Sequence, residues 1–215
     1  MSAQTPGAGF FGLLSGLLIY PDEEWRAELE TLGLAAAELT SRRGRRSIRE
    51  FLGRIEEMAP AELERHYVEV FDFDRRATLH MTFHRYGDRR ERGTQLARLV
   101  GHYAQAGFEI AGGELPDYLP VVLEFADLAD ADRAATVLNE LREPIELVRE
   151  RLGEVGSPYA ALFDALCGEL PSLSRAQRQA IRTLADAEPP VELVGLPTYG
   201  DEAVDAALPS DCGTA

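Results

Sequence analysis

From Phe10 to about residue 187 the apolar residues of this chain recur every three or four positions, and only one short stretch alternates every second position. Side chains share a helix face at a period of 3.6 and a strand face at a period of 2, so the pattern predicts an all-α fold with no sheet in its frame. Phe10, Leu13, Leu14, Leu17 and Leu18 line a first helix, ended by Tyr20-Pro21 because the residue before a proline disfavours helical backbone. Asp22 to Leu39 opens with carboxylates, which suit the positive end of a helix dipole. Arg45 to Ala59 places Ile48, Phe51, Leu52 and Ile55 together, and Pro60 starts a helix carrying Leu63, Tyr67, Val70 and Phe71.

Later segments repeat the pattern. Leu96, Leu99, Val100 and Tyr103 form a stripe ending near Gly107, and LPDYLPVVLEFADL carries its prolines near a helix start, where they are tolerated. Ala131 to Leu152 reads as one helix kinked at Pro144, followed by helices in SPYAALFDALCGEL and SRAQRQAIRTLADA. Residues 1–187 are thus expected to form a single helical domain. Residues 188–215 hold four prolines, three glycines and six carboxylates with no basic residue, and read as a disordered acidic tail.

Charge and composition exclude several functions. A net charge of −15 repels phosphate backbones, so nucleic-acid binding is not expected and protein or peptide partners are. Every one of the 22 basic residues is arginine, which removes Schiff-base and phosphate-loop lysine chemistry. Cys167 and Cys212 lie far apart, with no CxxC, and Cys167 falls in an apolar stripe as a small core residue. The N-terminal apolar run lacks a basic leader and is short of the roughly 20 residues that span a bilayer, which fits a cytoplasmic protein not inserted in a membrane.

The stretch YVEVFDFDRRATLHMTFHRYGDRRERG, Tyr67 to Gly93, concentrates aromatic, histidine and arginine residues. His80 and His84 stand one helical turn apart, the basis for an alternative reading as a metal-dependent enzyme, but neither a Glu-x-x spacing nor a nearby cysteine supports it. Asp72 and Asp74 could pair as catalytic carboxylates, although Asp74 also suits a helix cap. No nucleophile elbow or phosphate-binding loop accompanies them, so no enzyme activity and no bound cofactor or metal is expected. Between Thr78 and His84 the residues alternate as in a strand, whereas Leu79, Phe83 and Tyr86 also make a helical stripe. The helix is the choice in an all-α setting; it strands Met81 off the stripe and makes this segment a candidate for offering apolar groups to a partner.

Together with ELPDYLPVVLEF, SPYAALFDALC and LLIYPDEEW, that stretch resembles the NarJ family of nitrate reductase assembly chaperones, also called delta subunits, within the TorD/DmsD group. The resemblance covers roughly Leu13 to Ala187. It implies a helical bundle of the TorD/NarJ type that binds the N-terminal segment of the molybdenum-containing catalytic subunit in the cytoplasm. It further implies that the chaperone promotes molybdenum cofactor insertion into that partner without joining the final enzyme. The partner contacts implied are Tyr67, Phe71, Phe83, Tyr86 and Tyr118 as apolar groups and Asp72, Asp117, Arg89 and Arg92 as a polar rim. Tyr118 stands where the family commonly has histidine.

Overall fold

The computed structural model of the chain describes residues 9–185; the expected boundary at 187/188 and the tail beyond it lie outside the described residues. Eleven α-helices occur among them, and no strand. They are α1 (Phe10–Leu17), α2 (Glu23–Glu38), α3 (Arg42–Glu56), α4 (Pro60–Tyr67), α5 (Phe83–Tyr86), α6 (Arg90–Gln105), α7 (Leu119–Leu128), α8 (Ala131–Glu140), α9 (Arg142–Glu154), α10 (Ala160–Glu169) and α11 (Arg175–Ala185). None is long and apolar enough to cross a membrane.

Local chemistry sets the helix starts. Asp22 accepts the Trp25 N–H at 2.8 Å, Ser41 the Gly44 N–H at 3.0 Å and Asp130 the Arg133 N–H at 3.0 Å, each satisfying a donor that has no acceptor inside its helix. The Ser41 cap draws Arg42–Arg46 into α3, three residues earlier than the apolar stripe alone indicates. α1 is apolar nearly all round and is buried between α7, α10 and α2, while α10 also packs on α3 and α9. Phe10, Leu14, Leu17, Ile48, Phe51, Leu123 and Phe163 are essentially inaccessible in the core these helices share.

Three expectations need correction. Ala131 to Leu152 is not one kinked helix: the chain breaks at Leu141, and Pro144 sits in the first turn of α9. Proline lacks the N–H that would reach the Glu140 carbonyl and its ring would clash there, whereas the first turn of a new helix requires no such bond. Val100 is exposed, so the α6 stripe narrows to Leu99 and Tyr103, with Leu96 half-buried. Asp74 caps no helix; its carboxylate accepts the Arg76 N–H at 2.9 Å in a turn and pairs with Arg151 at 2.6 Å.

The stretch that opened the functional question departs furthest from expectation. The helix expected to carry Tyr67, Val70 and Phe71 changes geometry within itself: beyond α4 the chain runs on as a π-helical segment, Val68–Phe73. The helix chosen for 78–86 shrinks to α5, and the alternation ahead of it is real: His80 and Tyr118 form an isolated antiparallel bridge. Met81 N–H donates to the Asp117 carbonyl at 3.0 Å and Leu119 N–H to the Leu79 carbonyl at 2.9 Å. Leu79 and Met81 are therefore both buried, and the idea that Met81 is left over for a partner falls.

Candidate partner-binding site

The bridge brings the Tyr67–Gly93 stretch against the LPDY element, residues 115–118, and creates two linked clusters. The first is aromatic. Tyr67 packs edge-on against Phe71 at 4.8 Å and against Tyr20 at 5.5 Å, and Tyr159 sits 5.0 Å from Phe71 beneath them. The Tyr67 hydroxyl donates to the Leu18 carbonyl at 2.9 Å and lies 3.4 Å from the Tyr118 hydroxyl. Burial pushes the phenols of Tyr67 and Tyr118 above their ordinary range, so both remain neutral donors. Tyr67 and Phe71 are buried, while Tyr118 is half-buried and Tyr20 is exposed.

The second cluster is built on Asp117, whose side chain is inaccessible to solvent. Thr82 donates to it through both its N–H and its hydroxyl, Arg92 Nη2 lies 3.3 Å away, and His80 Nδ1 lies 3.4 Å away. Burial by itself would raise the Asp117 pKa. The donors from His80 and Thr82 and the charge of Arg92 outweigh it and hold the carboxyl below its usual range. Arg92 also donates from Nε to the Thr82 hydroxyl at 3.1 Å, and its guanidinium lies 5.6 Å from the Phe83 ring, with Arg75 at 4.6 Å. Asp117 thus ties the start of α7, the bridge segment and the first turn of α6 together.

The residues expected at a partner interface are therefore unevenly placed. Tyr67, Phe71, Asp117 and Arg92 lie in or beneath the two clusters, with Phe83 and Tyr118 half-buried at their surface. Tyr86 is also half-buried and lines a separate small depression with Met81, Leu99 and Pro144. Asp72 and Arg89 are exposed and take no part in either cluster. Thr82 and Tyr20 were not anticipated here, and Tyr159, on the buried stripe that spacing gives SPYAALFDALCGEL, was not assigned to this site; the partners of all three lie far along the chain. Phe73 was also missed. The π-helical segment ends on it and leaves it exposed beside an open depression lined by His66, Val70 and Val155.

The histidines do not converge. His84 Nε2 donates to the Thr78 carbonyl at 2.9 Å, and burial lowers its pKa to about 4, so it is a neutral structural side chain. Among the described residues, no group of three or more His, Cys, Asp or Glu side chains is placed to hold a metal. Burial pushes the Cys167 thiol up to about 12, consistent with a core residue rather than a nucleophile.

Sequence comparison covers this geometry apart from Leu18 and Tyr20. Residues 25–165 match the family described as "Nitrate reductase delta subunit". Over 163 residues, 76% of this chain and 89% of the relative, the chain is 37% identical to the probable nitrate reductase molybdenum cofactor assembly chaperone NarJ of Bacillus subtilis (strain 168). It is 31% identical over 156 residues, 72% of this chain and 66% of the relative, to the nitrate reductase molybdenum cofactor assembly chaperone NarJ of Escherichia coli (strain K12). Over 101 residues, 47% of this chain but 16% of the relative, it is 39% identical to the nitrate reductase-like protein NarX of Mycobacterium tuberculosis (strain ATCC 25618 / H37Rv).

Proposed function

The chain belongs to the nitrate reductase delta subunit family, and from that premise we propose that it is a cytoplasmic, non-catalytic chaperone for assembly of nitrate reductase. In this reading it binds the N-terminal segment of the catalytic subunit and holds that subunit while molybdenum cofactor is inserted, then departs. The observation that carries it is the match over residues 25–165, which contains every residue of both clusters around Tyr67 and Asp117 apart from Tyr20 and Leu18.

The clusters divide the work. Phe83, Tyr86 and Tyr118, half-exposed, offer apolar contact area, and exposed Asp72 and Arg89 form its polar rim. Tyr67 and Phe71 support Tyr118 from below, and Asp117 with Arg92 fixes the backbone that presents it. Each anchor a peptide buries is worth roughly 1.5–3 kcal/mol, against about 2–5 kcal/mol or more to order the peptide, plus the general cost of association. Three such anchors alone do not offset those costs, so the polar rim has to add to them, and binding stays specific yet releasable, as a chaperone requires.

Calorimetry of the full-length protein with a synthetic peptide of the cognate catalytic subunit's N-terminus tests this. The expected result is a complex with a dissociation constant of about 10 μM or tighter, weakened by Tyr118→Ala. Absence of binding at about 100 μM counts against the reading.

A further inference from the structure

Residues 41–49, SRRGRRSIR, put five arginines into nine positions at the start of α3 with no carboxylate among them. Arg45 donates to the Leu39 carbonyl. Arg42, Arg46 and Arg49 stand at i, i+4 and i+7, a single face of the helix, and Arg43 beside them runs across Gly168 of α10. The opposite face carries Gly44, Ile48, Phe51 and Ile55 into the core, so all four of these arginines are exposed.

Among the described residues none of the four lies in an ion pair. That sets them apart from most of their kind. Of the 22 arginines, eleven pair with a carboxylate and three more, Arg45, Arg54 and Arg178, donate to backbone carbonyls. Half of the remainder are these four on the first turns of α3; Arg89 and Arg90 at the entry to α6 and Arg175 and Arg182 on α11 are the rest. Carboxylates near α3 do not cancel the charge. Glu169, at the end of α10, accepts the Ser41 hydroxyl, and Glu50 and Glu56 come only later in α3, while the helix start adds its own positive pole.

The protein as a whole has the opposite sign, with a net charge of −15. An acidic segment is therefore repelled by most of the surface and drawn to this face. The chain itself supplies such a segment: residues 188–215 carry six carboxylates and no basic residue, four of them, Asp201, Glu202, Asp205 and Asp211, close together. It follows α11, which packs on α9, as α9 packs on α10 and α10 on α3. The residues from 186 to 201 can reach up to about 50 Å, more than the roughly 40 Å across a domain of this length.

We propose that the α3 face formed by Arg42, Arg46 and Arg49 is the docking surface for the chain's own acidic stretch, residues 201–211. The planar guanidinium groups suit carboxylates, which they can take two-pronged. Each exposed ion pair favours such a contact by only about 1.5- to 5-fold, but tethering keeps the partners at an effective concentration on the order of mM. Three pairs then give a docked state that is well populated and released by salt. The stretch acts as an internal counter-ion that keeps other anionic groups off α3, whichever protein the chain assembles.

A nitroxide attached to Cys212 tests this, since burial pushes the Cys167 thiol up to about 12 and leaves it unreactive. The broadening of backbone amides is read by NMR in isotope-labelled full-length protein. In low salt the amides of residues 42–53 are expected to be broadened severalfold more than those of α7. Two variants should each remove at least half of that excess. One is Arg42→Gln with Arg46→Gln and Arg49→Gln, all at exposed positions; the other is Asp201→Asn with Glu202→Gln, Asp205→Asn and Asp211→Asn, which leaves residues 9–185 as they are. Salt at about 1 M, where the Debye length is about 3 Å, should do the same. Equal broadening of α3 and α7, or an α3 excess that survives either variant or the salt, would overturn the proposal. So would an excess confined to Arg175–Ala185, which would seat the stretch on α11, or an equal α3 excess in a mixture where label and isotope sit on different molecules, which would make it a contact between copies.

Discussion

At the scale of residues, the inaccessible carboxylate of Asp117 and the buried imidazole of His84 decide how the bridge segment is held. Asp117→Asn keeps an acceptor for Thr82 but leaves Arg92, itself 17% exposed, without its counter-charge. The expected loss is about 2–3 kcal/mol, measured by urea denaturation at pH 7. His84 sets a pH window. Its folded pKa of about 4 lies below the ordinary value of 6.5, so between those values the unfolded chain binds more protons and stability falls with acidification. The contribution is complete above pH 6.5. His66, also lowered chiefly by burial, acts in the same direction, whereas the depressed Asp117 is lost only at still lower pH. Stability from His84 should drop on the order of 2 kcal/mol from pH 6.5 to 5. His84→Gln, which can still donate to the Thr78 carbonyl, should flatten that slope in thermal melts.

At the scale of elements, α3 contains a built-in comparison. A Cβ on Gly44 would lie 3.0 Å from the ring of Phe10, which is 1% exposed and cannot yield, while one on Gly53 meets nothing within 4 Å. Gly44→Ala should therefore destabilise the protein by about 1 kcal/mol or more despite its better helix propensity, and Gly53→Ala should stabilise it by about 0.5–1 kcal/mol. Paired thermal melts of the two variants check this. Helices such as α2, α6 and α10 were legible because each carries its own apolar stripe, and α2 its own cap. The segment from Val68 to Tyr86 was not, because its conformation is fixed from outside. Residues 79–81 follow the hydrogen bonds of the bridge to residues 117–119, about 40 positions on, and no local period reports such a partner. The strand-like alternation was visible and true; the helical prior of its surroundings overrode it. Pro144 likewise marked an irregularity in the right place, but whether proline bends a helix or begins a new one depends on the neighbouring Leu141, which here leaves helical geometry.

At the scale of the whole molecule, a helical frame of net negative charge belongs to a family that includes relatives named as assembly chaperones. The family was legible because four short runs, LLIYPDEEW, Tyr67–Gly93, ELPDYLPVVLEF and SPYAALFDALC, stand together in one order along the chain. The candidate site was legible only in part. Tyr67 and Phe71 look like contact aromatics in sequence but lie beneath the surface, packed on Tyr159 from far along the chain. Under the proposed function, what the partner lacks when this protein is missing is its molybdenum. That is tested most directly by the molybdenum content of nitrate reductase catalytic subunit purified from cells with and without this gene. Without the gene the polypeptide is expected to accumulate but to carry only a small fraction of the molybdenum per chain. Catalytic subunit fully loaded with molybdenum in cells that lack the gene would contradict it.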